Sequence, residues 1–414
     1  MTEYYSAKTN FYGNSDPEKL LKEFGSPLYV YNEKILRQKC RDMKNLVDYP
    51  HFIPNYSIKA NSNLHIIKTV REEGLRADAM SAGEIQLLLH AGYKPEELFF
   101  VPNNVSEAEL RYAVDNGVLV SVDSLSQLEL LGKINPGGKA AVRFNPGVGA
   151  GHHEKVVTAG KKTKFGVNID CVPQVKEIAA KYGLKISGIN QHIGSLFMEG
   201  DSYIEGVKSI LAVAEHFEDI DFVDMGGGFG IPYNKQAGQQ PLDLADFRQK
   251  LTKVLEDWTD RYGKKILFKS EPGRYIVAEC GVLLGKVYAV KNNYGNRYAG
   301  TDIGFNVLAR PVMYDSHHDI EVYRDGKPQN AGNTEEVTVV GNICESGDII
   351  AKHRTLPEIH EGDILGVMDA GAYGFAMSSN YNMRLRPAEV MIRENGDAVL
   401  IRRRDTFEDL IANL

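Results

Sequence analysis

The 414 residues carry 48 Lys and Arg against 55 Asp and Glu, a net charge of −7, and 43% of them are hydrophobic. That length exceeds one ordinary domain and suits a barrel of roughly 250 residues followed by a second domain. A mildly acidic chain without a Lys/Arg block offers no electrostatic footprint for nucleic acid or an anionic membrane, so a small-molecule partner is expected.

The opening Met-Thr-Glu-Tyr-Tyr-Ser has neither a basic segment nor a following apolar stretch, and no run of about 18 apolar residues occurs anywhere. No membrane span is expected, and the expected compartment is the cytoplasm. The four cysteines, Cys40, Cys171, Cys280 and Cys344, are too scattered for a zinc or redox motif and are expected to be reduced thiols. Residues 1–30 read as an N-terminal segment packing with a later β domain, although the strand-like run 28–31 can lead in from either domain.

Between about residues 55 and 270, within an expected barrel domain of 31–275, short apolar runs alternate with helical stretches. The predicted strands are 55–58, 76–80, 98–101, 119–122, 140–144, 186–191, 221–225 and 266–270, and helices such as 64–73, 82–91, 106–115, 124–132, 172–182 and 201–217 fall between them. Eight strands in this alternation predict a parallel sheet closed into a (β/α)8 barrel. A doubly wound open sheet has the same periodicity. Beyond Arg274 the runs 281–290, 336–340, 364–367, 388–393 and 398–402 are separated by Gly, Asn and Asp turns, which predicts an antiparallel β domain over 276–414.

Polar residues cluster at the C-terminal ends of the predicted strands, the rim on which barrel active sites are built. Lys59 follows the first strand, Asp78 lies near the end of the second, His192 follows the sixth, a glycine run follows the seventh and Glu271 follows the eighth. The run Asp224-Met225-Gly226-Gly227-Gly228-Phe229-Gly230 lets backbone N–H groups approach an anion closely, and phosphate is the natural guest. The next loop, Glu271-Pro272-Gly273-Arg274, stands where barrel phosphate sites commonly find their second loop. Lys59, in Tyr56-Ser57-Ile58-Lys59-Ala60-Asn61, is an amine at the mouth that can form a Schiff base with an aldehyde cofactor. Alone it would read as a solvated lysine at a strand end; the phosphate loop tips the balance.

His192 can lie flat on a cofactor ring and Ser195 can donate to phosphate, while Glu271 can meet a pyridinium nitrogen or pair with Arg274. In the β domain, Cys344 is flanked by carboxylates in Cys344-Glu345-Ser346-Gly347-Asp348, so a protonated thiol that gives up a proton fits better than a thiolate nucleophile. The same window fits a small buried hydrophobe equally well. The pairs His152-His153 and His317-His318 are not expected to bind metal, because adjacent histidines cannot easily face one ion.

These segments, with Thr163-Lys164-Phe165-Gly166, Asp369-Ala370-Gly371-Ala372-Tyr373-Gly374 and Asn382-Met383-Arg384-Leu385-Arg386-Pro387-Ala388-Glu389, occur in an order that resembles the fold-type III pyridoxal-phosphate decarboxylases, and within them the diaminopimelate decarboxylases. The resemblance runs from about Leu28 to Glu389. It implies that Lys59 carries the cofactor, His192 stacks on its ring, Glu271 meets the pyridine nitrogen and Asp78 stands near the lysine. Ser195, Gly226, Gly227, Gly228, Gly273, Arg274 and Tyr373 would surround the phosphate. Arg274, Arg310, Tyr314, Glu345 and Tyr373 would contact substrate, with Cys344 as proton donor across a homodimer that shares its active sites.

The implied reaction is decarboxylation of meso-2,6-diaminopimelate to L-lysine and carbon dioxide, the last step of lysine biosynthesis. A decarboxylase of another basic amino acid, a racemase on the same architecture and a non-catalytic cofactor-binding homologue are the competing readings. Two departures from the family pattern are Gly341-Asn342-Ile343 before the cysteine and the loop Gly151-His152-His153-Glu154.

Overall fold

A computed structural model of the chain describes residues 3–145 and 164–414. The predicted motif Gly151-His152-His153-Glu154 and the first residue of Thr163-Lys164-Phe165-Gly166 therefore lie outside the described residues. The chain divides into two compact units. One holds residues 39–231 and 241–276; the other holds the residues up to Gln38 together with 232–240 and 277–414.

The first unit is the barrel. Its eight strands are Phe52–Ser57, Arg76–Ala79, Leu98–Phe100, Leu119–Val122, Lys139–Asn145, Lys185–Asn190, Phe222–Asp224 and Leu267–Ser270. Each pairs in parallel with the next, and the ring closes where Leu267–Ser270 pairs with Phe52–Ser57. The short strands are buried at nearly every position, as a sheet covered on its outer face by helices requires. Phe99, Val101, Ala141 and Phe222 pack as one apolar cluster of this unit.

The loops feed the helices through side-chain caps. Ser81, Ser106 and Ser124 each accept a hydrogen bond from the backbone N–H three residues on, which fixes where the helices Ala82–His90, Glu107–Asp115 and Leu125–Ile134 begin. The longest helix, Leu244–Tyr262, starts on an Asp243 cap and buries Phe247, Leu251, Leu255 and Trp258, a stripe at helical spacing. It ends at Gly263 in the left-handed conformation with φ +76°.

The second unit is a largely antiparallel sheet. Leu28–Asn32 lies inside it, antiparallel to Gly281–Asn293 on one side and parallel to Ala388–Ile392 on the other. All five of its residues are buried. A second parallel pairing joins Asn296–Thr301 to Thr334–Val340. The core of this unit gathers Phe11, Leu20, Leu28, Val30, Val282, Leu284, Val390 and Ile392, so the N-terminal residues contribute to the same apolar cluster as the C-terminal strands. Among the described residues no helix is long and apolar enough to cross a membrane.

Candidate active site

The barrel unit brings the predicted residues Lys59, Asp78, His192, Ser195, the glycine run, Glu271 and Arg274 to the C-terminal ends of its strands. Lys59 sits in the single helical turn Ile58–Ala60, directly after the first strand. Its charge acts on Asp78, His192 and Glu271. Asp78 is buried and accepts a hydrogen bond from Ser57 Oγ at 3.1 Å. Burial pushes its carboxyl up to about 6, against the opposing pull of Lys59 and the Ser57 hydrogen bond.

The glycine run folds as a turn over the seventh strand. Asp224 Oδ1 accepts from Gly226 N–H at 2.9 Å, and Tyr203 donates to the Gly226 carbonyl at 3.0 Å. Gly226 has φ +77° and Gly228 φ +110°, conformations that L side chains rarely adopt. At Gly227 the constraint is space: a Cβ would lie 1.9 Å from the Glu271 carbonyl oxygen. Beside the turn, Arg274 Nη2 donates to Ser195 Oγ at 3.1 Å, so the two residues expected at the phosphate are already paired.

His192 Nδ1 accepts from Gly227 N–H at 3.3 Å, which leaves the ring proton on Nε2. Its Nδ1 also lies 3.9 Å from Glu271 Oε2, within the usual distance for an ion pair. Their charged forms are both disfavoured. Burial, with Lys59 and Arg143, holds the imidazole well below its ordinary range, and burial, with Asp224 and Asp78, holds the Glu271 carboxyl well above its own. Glu271 Oε1 is buried and has no hydrogen-bond partner among the described residues.

Sequence reasoning missed two buried cations of this barrel. Arg143, on the fifth strand, is buried and lies 4.7 Å from the centroid of the Phe165 ring, and its charge acts on Glu271 and Asp123. Lys269, on the eighth strand, registers opposite Asp224 and stands over the ring of Phe222 at 3.8 Å. Burial lowers Lys269 to about 8 and raises Asp224 to about 7, while each opposes the other's shift. The available signal was one charge in an otherwise apolar run, Ala140-Ala141-Val142-Arg143-Phe144 and Ile266-Leu267-Phe268-Lys269.

In the second unit, Cys344 and Glu345 lie on an exposed loop. Buried Asp348 organises that loop by accepting from the N–H groups of Phe305 and Ile343, both at 2.7 Å. Cys344 N–H donates to Asn382 Oδ1 at 2.9 Å, and Glu345 Oε1 accepts from Tyr381 at 2.7 Å. Arg310 opens the short helix Arg310–Tyr314, which places Tyr314 at its other end. Tyr373 has φ +55° in the turn that begins at Asp369, where Lys235 Nζ lies 2.8 Å from both carboxylate oxygens.

The family profile described as "Pyridoxal-dependent decarboxylase, pyridoxal binding domain" matches residues 33–278. A diaminopimelate decarboxylase of Methanothermobacter thermautotrophicus is 42% identical, with 96% of this chain and 94% of the relative aligned. A crystal structure of a diaminopimelate decarboxylase superposes with a TM-score of 0.89 at 33% identity, covering 97% of this chain and 98% of the other. The Helicobacter pylori diaminopimelate decarboxylase complexed with L-lysine gives 0.86 at 30% identity, with 95% and 98% covered. With more than half its length matched by the profile and nearly all of it aligned to such relatives, the chain belongs to the pyridoxal-dependent decarboxylases.

Proposed function

We propose that this chain is a pyridoxal-phosphate-dependent carboxy-lyase that converts meso-2,6-diaminopimelate to L-lysine and carbon dioxide, the last step of lysine biosynthesis. The observation that carries the reading is one barrel mouth holding an amine, a proton-holding carboxyl, a neutral imidazole and a glycine turn. The mouth fits the cofactor. A buried carboxyl oxygen of Glu271 without a hydrogen-bond partner suits a ring nitrogen, and a turn with no room for side chains suits the close approach of a phosphate.

On this reading Lys59 would hold the aldehyde carbon, with Asp78 behind it, His192 the ring face and Glu271 the ring nitrogen. Ser195, Gly226, Gly227, Gly228, Gly273, Arg274 and Tyr373 would hold the phosphate. The bound cofactor supplies the electron sink that lets a Cα–carboxylate bond break. The chain's own work is orientation and proton traffic. Glu271 holds a proton where a ring nitrogen shares it, and His192, held neutral, adds no competing charge.

Diaminopimelate has an amino-acid group at each end, so its non-reacting end needs a cation for the carboxylate and an anion for the ammonium. Arg310 and Glu345 supply that pair, with Arg274, Tyr314 and Tyr373 as further substrate contacts. Cys344 of the partner subunit delivers the proton from Sγ in a homodimer. Its exposure in the single chain, beside exposed Glu345, Tyr381 and Met383, supports that assignment. Four free cysteines suit a reducing compartment, and the cytoplasm is the proposed one.

The test is carbon dioxide release by the cofactor-loaded protein from meso-diaminopimelate, lysine, ornithine and arginine in parallel. Release from diaminopimelate alone is expected. A preference for any of the other three would overturn the substrate assignment and leave the cofactor assignment standing.

A further inference from the structure

The adjacent histidines at 317 and 318 part company in the structure. His317 Nε2 meets Asp319 Oδ1 and Arg354 Nη2, each at 3.0 Å. His318 is buried, and its two nitrogens face different chemistry. Nδ1 lies 2.7 Å from the backbone carbonyl oxygen of Met368, and Nε2 lies 2.8 Å from Arg310 Nη1. A carbonyl oxygen only accepts, so the hydrogen belongs on Nδ1; a guanidinium only donates, so Nε2 presents its lone pair. One species meets both demands, the neutral imidazole with its proton on Nδ1.

The rest of the Arg310 head is held in the same way. The guanidinium lies over the ring of Tyr233, 4.5 Å from its centroid, and Nη2 donates to Ser316 Oγ at 3.3 Å. Tyr233 in turn meets His318 edge-on, with centroids 5.2 Å apart and planes at 77°. These three neighbours are uncharged groups, so what they supply is direction. A guanidinium takes a carboxylate through two parallel N–H donors, and that match requires a fixed plane.

We infer that His318 is a positioning residue for substrate specificity, holding Arg310 in the orientation that receives the carboxylate at the non-reacting end of the substrate. The inference rests on the reading of Arg310 given above. It assigns His318 to discrimination between ligands that carry that carboxylate and ligands that lack it.

The test uses the cofactor-loaded enzyme with His318→Leu, His318→Gln and Arg310→Met. His318→Leu should raise KM for diaminopimelate roughly tenfold, the worth of one hydrogen bond to a charged group, with kcat little changed. Binding of L-lysine, which keeps the distal carboxylate, should weaken by a similar factor, while binding of cadaverine, which lacks it, should not move. His318→Gln keeps one donor and one acceptor at nearly the imidazole spacing and should restore most of the loss. If His318→Leu does not fold, the comparison passes to His318→Asn, which keeps the donor to Met368 and loses the acceptor for Arg310.

Equal weakening of L-lysine and cadaverine would make His318 merely structural and overturn the inference. So would unchanged KM and L-lysine binding in the His318 variants while Arg310→Met weakens both. If Arg310→Met also changes nothing, the reading of Arg310 itself fails.

Discussion

Glu271→Gln should leave the cofactor-free fold intact and cripple catalysis, because burial favours the protonated carboxyl in the first state and the residue serves as the ring-nitrogen partner in the second. Glu271 is 4% exposed, and burial first, then the neighbouring Asp224 and Asp78, holds its proton well above the ordinary carboxylate range despite Lys59 and Arg143. An amide of the same shape costs little where the carboxyl is already neutral. The pH dependence follows from the raised folded value. Above the unfolded value of about 4.3 the folded wild type binds more protons than the unfolded chain, so it loses stability as pH rises, by up to about 1.4 kcal/mol per pH unit. The variant lacks that loss. Its advantage over wild type should grow from about pH 4 until Glu271 ionises in the folded protein, less whatever Asp224 and Asp78 take back by titrating together with it. Urea midpoints of the cofactor-free proteins across a pH series read this difference. In the loaded enzyme the loss of a buried charge partner costs about 3 kcal/mol, roughly a hundredfold in kcat/KM. A variant within twofold of wild type would refute the ring-nitrogen assignment, and a stability difference that shrinks with rising pH would show that Glu271 is ionised in the fold.

Lys59→Ala should abolish both the visible absorption of the cofactor-loaded protein and its activity; retained absorption would move the attachment to another amine. Lys59→Ala and Cys344→Ala chains, each nearly inactive, should recover roughly a quarter of wild-type activity when unfolded and refolded together, since half the dimers are mixed and each mixed dimer has one intact site. Well-folded mixed dimers without rescue would refute the shared site. Lys235→Met should lower the unfolding free energy by about 3 kcal/mol, because buried Asp369 loses the ammonium that bridges both its oxygens, and adding Asp369→Asn should recover part of the loss in urea unfolding.

The barrel was legible because most strands are short apolar runs and several of the following helices, among them those capped by Ser81, Ser106, Ser124 and Asp243, announce themselves with a cap, so periodicity and punctuation agree. Boundaries moved by a residue or two at most ends. At the first strand the shift matters more, since Ile58 leaves the predicted strand and joins Lys59 in a helical turn. The second unit was harder to read for a physical reason. Leu28–Asn32 shows no alternation, being buried at all five positions, and its partners lie about 250 and 360 residues away at Gly281–Asn293 and Ala388–Ile392. Nothing local distinguishes such a strand from a barrel strand. The segment 232–240 joins the second unit through pairings such as Lys235 with Asp369 and Gln236 with Asp319, which no window of sequence contains.

The site divides along the same line. Lys59, His192, the glycine turn and Glu271 were found because a barrel converts order along the chain into position on one rim, so a polar residue after a strand is a statement about place. Arg143 and Lys269 sit inside strands, where a charge reads as an outward-facing position; only the closed ring, buried on both faces, turns them inward and brings Lys269 opposite Asp224. Their burial is tolerated in part because buried acids and bases oppose one another, Lys59 acting against the shifts of Asp78 and Glu271, Lys269 and Asp224 against each other's, and Glu271 against that of Arg143. Such a set is costly as packing and useful as a fixed field aimed at a reacting group. His318 makes the same point in the second unit. As one of two adjacent histidines it invited only a metal question, and its pairing with Arg310 is visible only once Met368, fifty residues away, supplies the carbonyl that decides which nitrogen carries the proton.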